Sequence, residues 1–119
     1  MRAFFHSFVF AWTGIVDFFK NHRNGQIHLF SAVLVVFMGL YFGLSKLEWS
    51  VIVLCIFMVT ALEAMNSAIE YLTDLVSPDY HPLAGKVKDM AAGAVLLSAI
   101  GAAIIGIMVF WPYFMQLVR

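Results

Sequence analysis

Three long apolar runs, separated by short polar segments, dominate the pattern of this chain. The first run covers residues 27–44, which would rise roughly 27 Å as a helix at about 1.5 Å per residue. That length nearly matches the hydrocarbon core of a bilayer, which is about 30 Å thick. The second run covers residues 49–72 and the third covers residues 90–111. The pattern therefore predicts an all-α protein with three transmembrane helices.

The segment ahead of these runs, residues 1–24, is apolar on one side only. Large apolar side chains recur there at helical spacing: Phe4, Phe5, Phe8, Trp12, Ile15, Val16 and Phe19. This arrangement is typical of an amphipathic helix that lies in the plane of the membrane interface. His6 and Asp17 interrupt the segment and no small-residue cleavage site follows it, which argues against a signal peptide. A fourth membrane span is the competing interpretation.

Composition and charge support a membrane protein with a defined orientation. Of the 119 residues, 63% are hydrophobic and 12% are charged, whereas soluble domains carry about 25% charged residues. The formal net charge is zero, so bulk charge predicts no nucleic acid partner. Basic residues are concentrated before the first span and in the loop 73–89, and they are fewer on the opposite side. The positive-inside rule places the N-terminus and that loop in the cytoplasm.

The second run contains polar residues that a membrane span normally excludes. Asn66, Ser67 and Glu70 follow Glu63 at offsets of 3, 4 and 7, so the four share one stripe of a helix. A charged residue at the centre of a span costs about 2.5–3.5 kcal/mol on insertion scales. A polar seam between helices would explain the amide and the hydroxyl. It explains the two carboxylates poorly, because each needs a cation, a proton or a metal, so the stripe predicts a functional site.

A second polar cluster lies in the predicted cytoplasmic loop, residues 73–89, and a solvated loop and a ligand site are both compatible with it. Its members are Asp79, Tyr80, His81, Lys86, Lys88 and Asp89, and Asp74 continues the stripe eleven residues after Glu63. Asp74 ends the second span and Asp89 begins the third, so both lie at the cytoplasmic end of the stripe. Carboxylates beside a lysine can hold Mg²⁺ and a polyphosphate. The sequence lacks the common nucleotide-binding and zinc motifs.

The chain closely resembles the prokaryotic diacylglycerol kinase family, which includes the undecaprenol kinases. The resemblance covers nearly the whole chain and rests on the runs Glu63-Ala-Met-Asn66-Ser67-Ala-Ile-Glu70, Ser77-Pro-Asp-Tyr80-His81-Pro-Leu and Lys88-Asp89-Met-Ala-Ala-Gly. It implies one lipid-kinase domain over residues 1–119, assembled as a homotrimer in the bacterial plasma membrane. It also implies transfer of the γ-phosphate of ATP to the hydroxyl of a membrane lipid, diacylglycerol or undecaprenol.

The resemblance also implies roles for individual residues. Glu63 resembles the general base, with Asn66 in the same catalytic arrangement, and Glu70 resembles a ligand of Mg²⁺. Trp12 and Ala92 match positions that, together with Glu63, contact the lipid substrate. The positions that match the nucleotide site are Phe10, Glu70, Asp74, Asp79, Tyr80, His81, Lys88 and Asp89.

One departure from the family concerns the metal. The family usually has an acidic residue just before the first span, and His22 occupies that position here. Imidazole suits zinc better than Mg²⁺. Three interpretations remain open: His22 replaces the acid as a metal ligand beside Glu70, contacts phosphate as a cation, or leaves the site with fewer ligands.

Two other functions are compatible with an intramembrane glutamate. A proton-coupled transporter would use it for exchange, and a non-catalytic subunit would use the stripe only for helix packing. Lys88 and Asp89 at the cytoplasmic end of the stripe favour the kinase, because a proton exchanger has no need for a phosphate-binding lysine and acid there. The Ser77–Leu83 loop and the Leu47-Glu48-Trp49 turn resemble the undecaprenol branch of the family more closely.

Overall fold

The computed structural model describes all 119 residues, and it contains four α-helices. They are α1 (Arg2–Asn21), α2 (Arg23–Phe42), α3 (Lys46–Val76) and α4 (Pro82–Val118). The most extensive packing is between α3 and α4, while α2 packs on α3, and α1 packs on α2 and α3. The helices α2, α3 and α4 are long and apolar enough to cross a membrane. The prediction of an N-terminal helix followed by three membrane-spanning helices is confirmed.

The helices α3 and α4 extend further than the predicted spans at both ends, whereas α2 ends at Phe42, two residues before the predicted end of the first span, because Gly43 caps it. At about 1.5 Å per residue, the 31 residues of α3 and the 37 residues of α4 rise about 46 Å and 55 Å. Both exceed a hydrocarbon core of about 30 Å, so helical ends project beyond it. As a result, only residues 77–81 of the predicted loop 73–89 are non-helical. The last helix continues through Pro112 to Val118, beyond the predicted end of the third span at residue 111.

Local caps explain why α4 begins at Pro82 rather than at residue 90. Proline is favoured at the first helical position because its fixed φ suits a helix and its missing N–H would be unpaired there. The preceding residue, His81, accepts a hydrogen bond at Nδ1 from the backbone N–H of Leu83 at 3.1 Å. The loop therefore ends in a capped helix start, which carries Lys88 about two turns into α4.

The opposite end of the bundle is closed by a tight turn between α2 and α3. Gly43 has φ +69°, a left-handed conformation that favours glycine and ends α2. Ser45 and Glu48 then form a capping box at the start of α3. Glu48 Oε2 also accepts a hydrogen bond from the Tyr113 hydroxyl at 2.6 Å. This contact links the beginning of α3 to the end of α4.

The α1–α2 junction and the α3–α4 loop lie at the same end of the molecule. His22, the one non-helical residue between α1 and α2, has Nε2 2.7 Å from the Tyr71 hydroxyl near the end of α3. Asp74 and Lys88 join α3 to α4 beside the loop. The two basic segments predicted to share one side of the membrane are therefore adjacent in the fold.

Little of the chain is buried within itself. Only 11 of 119 residues are buried, and the hydrophobic core cluster consists of Leu44, Ile52 and Phe110. Large apolar side chains on every helix remain exposed. Such a surface is stable against lipid or against neighbouring subunits rather than against water.

Gly25 marks the closest approach of α1 to α2. A Cβ atom at this position would lie 2.7 Å from the backbone oxygen of Phe18 and 3.0 Å from Cε1 of the same residue. We expect Gly25→Ala to lower the free energy of unfolding by about 1–3 kcal/mol, because backbone atoms must shift to accommodate the methyl group. Gly14→Ala is the matched control, since a Cβ there meets nothing within 4 Å. Equal thermal denaturation midpoints for the two variants in detergent would contradict this close packing.

Candidate lipid-kinase site

The polar stripe of α3 faces the interior of the bundle. All four buried polar side chains of the chain belong to this helix: Glu63, Asn66, Ser67 and Thr73. Glu63 is 3% exposed and Asn66 is 4% exposed. The helical spacing of these residues therefore predicted the correct face, and Glu70 continues it toward the exposed end of the helix.

Two oxygen atoms in this stripe lack a hydrogen-bond donor. Glu63 Oε1 and Asn66 Oδ1 are buried, and neither accepts a hydrogen bond within the chain. A buried acceptor left unpaired costs about 1–3 kcal/mol. The pair of oxygens is therefore suited to a ligand that brings a donor group, and a hydroxyl is the simplest such group.

A histidine with no role predicted from the sequence approaches the other oxygen of the same carboxylate. His28 of α2 places Nε2 3.6 Å from Glu63 Oε2. A single histidine near the end of a span belongs to no recognisable motif, so its contact with Glu63 could not be predicted from the sequence. Only the packing of α2 on α3 brings the two side chains together.

Lys88 is a residue of α4 that lies beside the loop end of the stripe. Its Nζ donates a hydrogen bond to Asp74 Oδ1 at 2.6 Å. This hydrogen bond raises the pKa of Lys88 above its ordinary value, and the negative charges of Asp74 and Glu70 add to the effect. Lys88 precedes the apolar run 90–111, so it lies outside the membrane-spanning part of α4. Because its pKa is raised from an ordinary value that already lies far above neutral pH, the Lys88 ammonium group is fully charged at neutral pH.

The loop and its flanking helix ends form a small polar cavity of about 210 Å³. It brings together five of the eight residues predicted to serve the nucleotide: Asp74, Asp79, Tyr80, His81 and Lys88. Typical ligand pockets measure about 300–1,000 Å³. This cavity can therefore hold part of a nucleotide, such as its phosphates, but it is too small for a whole one.

The structure leaves the remaining predicted residues apart from this cavity. Phe10 and Trp12 are exposed on α1, and Asp89 and Ala92 are exposed on α4. No hydrogen bond or ion pair joins any of them to Glu63. Their roles toward nucleotide and lipid stay predictions.

His22 and Glu70, the predicted metal ligands, lie in different surroundings. Within the chain, no group of three or more histidine, cysteine or acidic side chains is arranged to hold a metal. Nε2 of His22 pairs with the Tyr71 hydroxyl at 2.7 Å and lies 3.8 Å from Asp17 Oδ2. These contacts use only Nε2, so the role of His22 as a Mg²⁺ ligand stays a prediction.

Glu70 has the chemistry that Mg²⁺ requires. Its carboxylate is exposed on the loop side of Glu63 and forms no hydrogen bond or ion pair within the chain. Mg²⁺ is usually held by one or two carboxylates together with substrate phosphates and water. A single free carboxylate near the Lys88 ammonium group therefore fits a metal that arrives with a polyphosphate.

Comparison with known proteins identifies the family. The prokaryotic diacylglycerol kinase family matches the chain over residues 9–110, which include the stripe, the loop and Lys88. This chain belongs to that family. Membership confirms the predicted enzyme class, a membrane lipid kinase, and a kinase family implies ATP as the phosphoryl donor. The transporter and packing-subunit alternatives lose their support.

Individual relatives cover most of the sequence. The undecaprenol kinase of Bacillus subtilis (strain 168) is 42% identical over 112 residues, which are 94% of this chain and 91% of that protein. A diacylglycerol kinase of Synechocystis is 43% identical over 101 residues, but this chain spans only 58% of its length. The diacylglycerol kinase of Escherichia coli (strain K12) is 27% identical over 105 residues, 88% of this chain and 86% of that protein.

Proposed function

We propose that this protein transfers the γ-phosphate of ATP to the hydroxyl of undecaprenol, with diacylglycerol as the second candidate acceptor. The observation that carries the proposal is the buried carboxylate of Glu63, whose Oε1 has no donor within the chain. A lipid hydroxyl supplies that donor. Undecaprenol is favoured because this chain aligns with nearly the full length of an undecaprenol kinase at 42% identity.

The chemistry of Glu63 follows from its position. The acceptor hydroxyl donates a hydrogen bond to Oε1 and then gives its proton to the carboxylate as its oxygen bonds to the γ-phosphorus of ATP. The bond from that phosphorus to the β–γ bridging oxygen breaks, and ADP leaves. General-base assistance of this kind contributes about 10²–10⁴-fold to a rate. Asn66, one turn along α3, supplies a second buried acceptor beside the reacting hydroxyl.

The donor side of the reaction lies about two turns away. Glu70 is seven residues beyond Glu63, about 10 Å along the helix axis. There it would hold Mg²⁺, which neutralises phosphate charge, while Lys88 attracts the phosphates directly. Phe10, Asp79, Tyr80, His81 and Asp89 would surround the rest of the nucleotide: the first from α1, the next three from the loop and the last from α4.

Assembly as a homotrimer would complete this site. One chain offers only a small nucleotide cavity and leaves most apolar residues of its helices exposed. Phe10 and Trp12 also lie on a part of α1 that its own chain leaves open. We place the N-terminus and the loop 77–81 in the bacterial cytoplasm, where ATP is available, on the distribution of basic residues.

The acceptor is tested by direct competition. The purified protein is reconstituted in lipid nanodiscs with ATP, Mg²⁺ and equal amounts of undecaprenol and diacylglycerol, and labelled lipid products are separated. We expect undecaprenyl phosphate to form faster than phosphatidic acid. Faster phosphatidic acid formation would make diacylglycerol the acceptor, and absence of both products from folded protein would refute the proposed activity.

Lys88 should matter for nucleotide binding. We expect Lys88→Met to raise the KM for ATP about tenfold, because a charge-assisted contact to phosphate contributes about 1.5–3 kcal/mol in favourable cases. Lys86→Met is the matched control, since that lysine is exposed two residues earlier and does not line the polar cavity. ATP titrations of both variants decide the question. Equal KM values for ATP in the two variants would show that Lys88 does not bind the nucleotide.

A further inference from the structure

The Glu63 carboxylate is approached by one cationic side chain. Among the lysines, arginines and histidines of the chain, only His28 comes within 4.0 Å of it. The imidazole is about a quarter exposed, whereas the carboxylate is almost fully buried. A buried carboxylate without a partner is costly, so this contact matters more than an ion pair on a protein surface would.

The two oxygens of this carboxylate have different surroundings. Oε2 faces His28 Nε2 at 3.6 Å, and Oε1 has no partner within the chain. A hydrogen bond to a carboxylate spans about 2.7–2.9 Å, so a shift of less than about 1 Å would close the gap. Hydrogen bonds at catalytic sites are often long without substrate and tighten in the reacting complex. The geometry thus leaves Oε2 to orient the carboxylate through His28 and leaves Oε1 to accept the proton of the substrate.

We propose that His28 is a positioning residue for Glu63. Its Nε2–H holds Oε2, so that Oε1 points at the acceptor hydroxyl, and it stabilises the charge of the buried carboxylate. This inference rests on the proposed role of Glu63 as the base. It concerns a side chain of α2, which neither the stripe on α3 nor the nucleotide cavity includes.

The location of His28 predicts which kinetic constant it controls. It lies at one end of an apolar cavity of about 420 Å³ between α2, α3 and α4. Lys88 and Asp74 belong to the separate polar cavity at the loop. Asp74 is eleven residues from Glu63, about 16 Å along α3. Loss of His28 should therefore slow the chemical step without weakening ATP binding.

Two substitutions at this position separate orientation from simple packing. His28→Leu removes the N–H donor, whereas His28→Gln retains an amide N–H that can reach Oε2. Ser31→Ala is the matched control, because Ser31 lines the same apolar cavity and bonds only to the backbone oxygen of Ile27. Each variant is reconstituted as the full chain, and rates are expressed per folded protein recovered by size exclusion.

We expect His28→Leu to lower kcat by on the order of 10–100-fold, the range typical of side chains that orient metal ligands through hydrogen bonds, with the KM for ATP within twofold of the parent protein. His28→Gln should recover a large part of that loss, and Ser31→Ala should keep the full rate. A parental kcat in His28→Leu, or equal losses in His28→Leu and His28→Gln, would overturn the positioning role. An inactive parent protein would instead refute the proposed kinase activity.

Discussion

Glu63→Gln should lower lipid phosphorylation by on the order of 10²–10⁴-fold, the contribution of a general base. Glutamine has the same size and can still form hydrogen bonds, but it cannot accept the proton of the lipid hydroxyl. The site should remain assembled, because an amide is cheaper to bury than a carboxylate. We therefore expect a thermal midpoint equal to or above that of the parent protein and unchanged ATP binding. Labelled phosphate transfer measures the rate, thermal denaturation measures the midpoint, and an ATP titration measures nucleotide binding.

The control for this substitution is Glu48→Gln on the same helix. Glu48 lies at the far end of α3, where it caps the helix and accepts a hydrogen bond from Tyr113. Its substitution should lower the thermal midpoint and leave the rate per folded protein unchanged. A Glu63→Gln variant that retains more than a tenth of the parent rate, or a Glu48→Gln variant that loses as much rate, would disprove the base assignment.

Glu70→Gln should impair the use of Mg²⁺ rather than the proton transfer. The loss of one charged oxygen ligand weakens the binding of Mg²⁺, which is otherwise held by phosphates and water. We expect a decrease on the order of 100-fold at limiting Mg²⁺, because the metal supplies several kcal/mol of charge stabilisation. Excess Mg²⁺ should restore part of the activity. Rates measured across a Mg²⁺ titration test this, and a loss independent of Mg²⁺ would exclude Glu70 as the ligand.

The same titration decides the role of His22. Its Nε2 pairs with the Tyr71 hydroxyl, so His22→Gln should leave the Mg²⁺ concentration for half-maximal activity unchanged. A shift as large as that of Glu70→Gln would place His22 at the metal site.

The spans and the stripe were predictable because strong physical constraints act locally along the sequence. A run of apolar residues that matches the bilayer thickness has few alternatives to a membrane helix. The cost of placing Glu63 and Glu70 in such an apolar run is enough to indicate a functional face on that helix. The periodicity then placed Glu63, Asn66 and Ser67 on one side of α3, and all three are buried.

The helix ends and the contacts between helices could not be predicted from the sequence in the same way. The polar residues of 73–89 suggested a long loop, but Pro82 at the first helical position and the capping His81 start α4 within it. The partners of His22 and Glu63 are Tyr71 and His28, which lie on other helices. Such pairs depend on the rotation and register of packed helices, and no spacing rule along one chain predicts them.

The most direct test of the proposed reaction measures ADP and lipid phosphate together. The parent protein is reconstituted with ATP, Mg²⁺ and undecaprenol, and both products are quantified over time, with a parallel sample that lacks the lipid alcohol. We expect equal amounts of ADP and undecaprenyl phosphate, and neither product without the lipid. ADP release without lipid phosphate, or no product from folded protein that binds ATP, would contradict phosphoryl transfer to a lipid hydroxyl at Glu63.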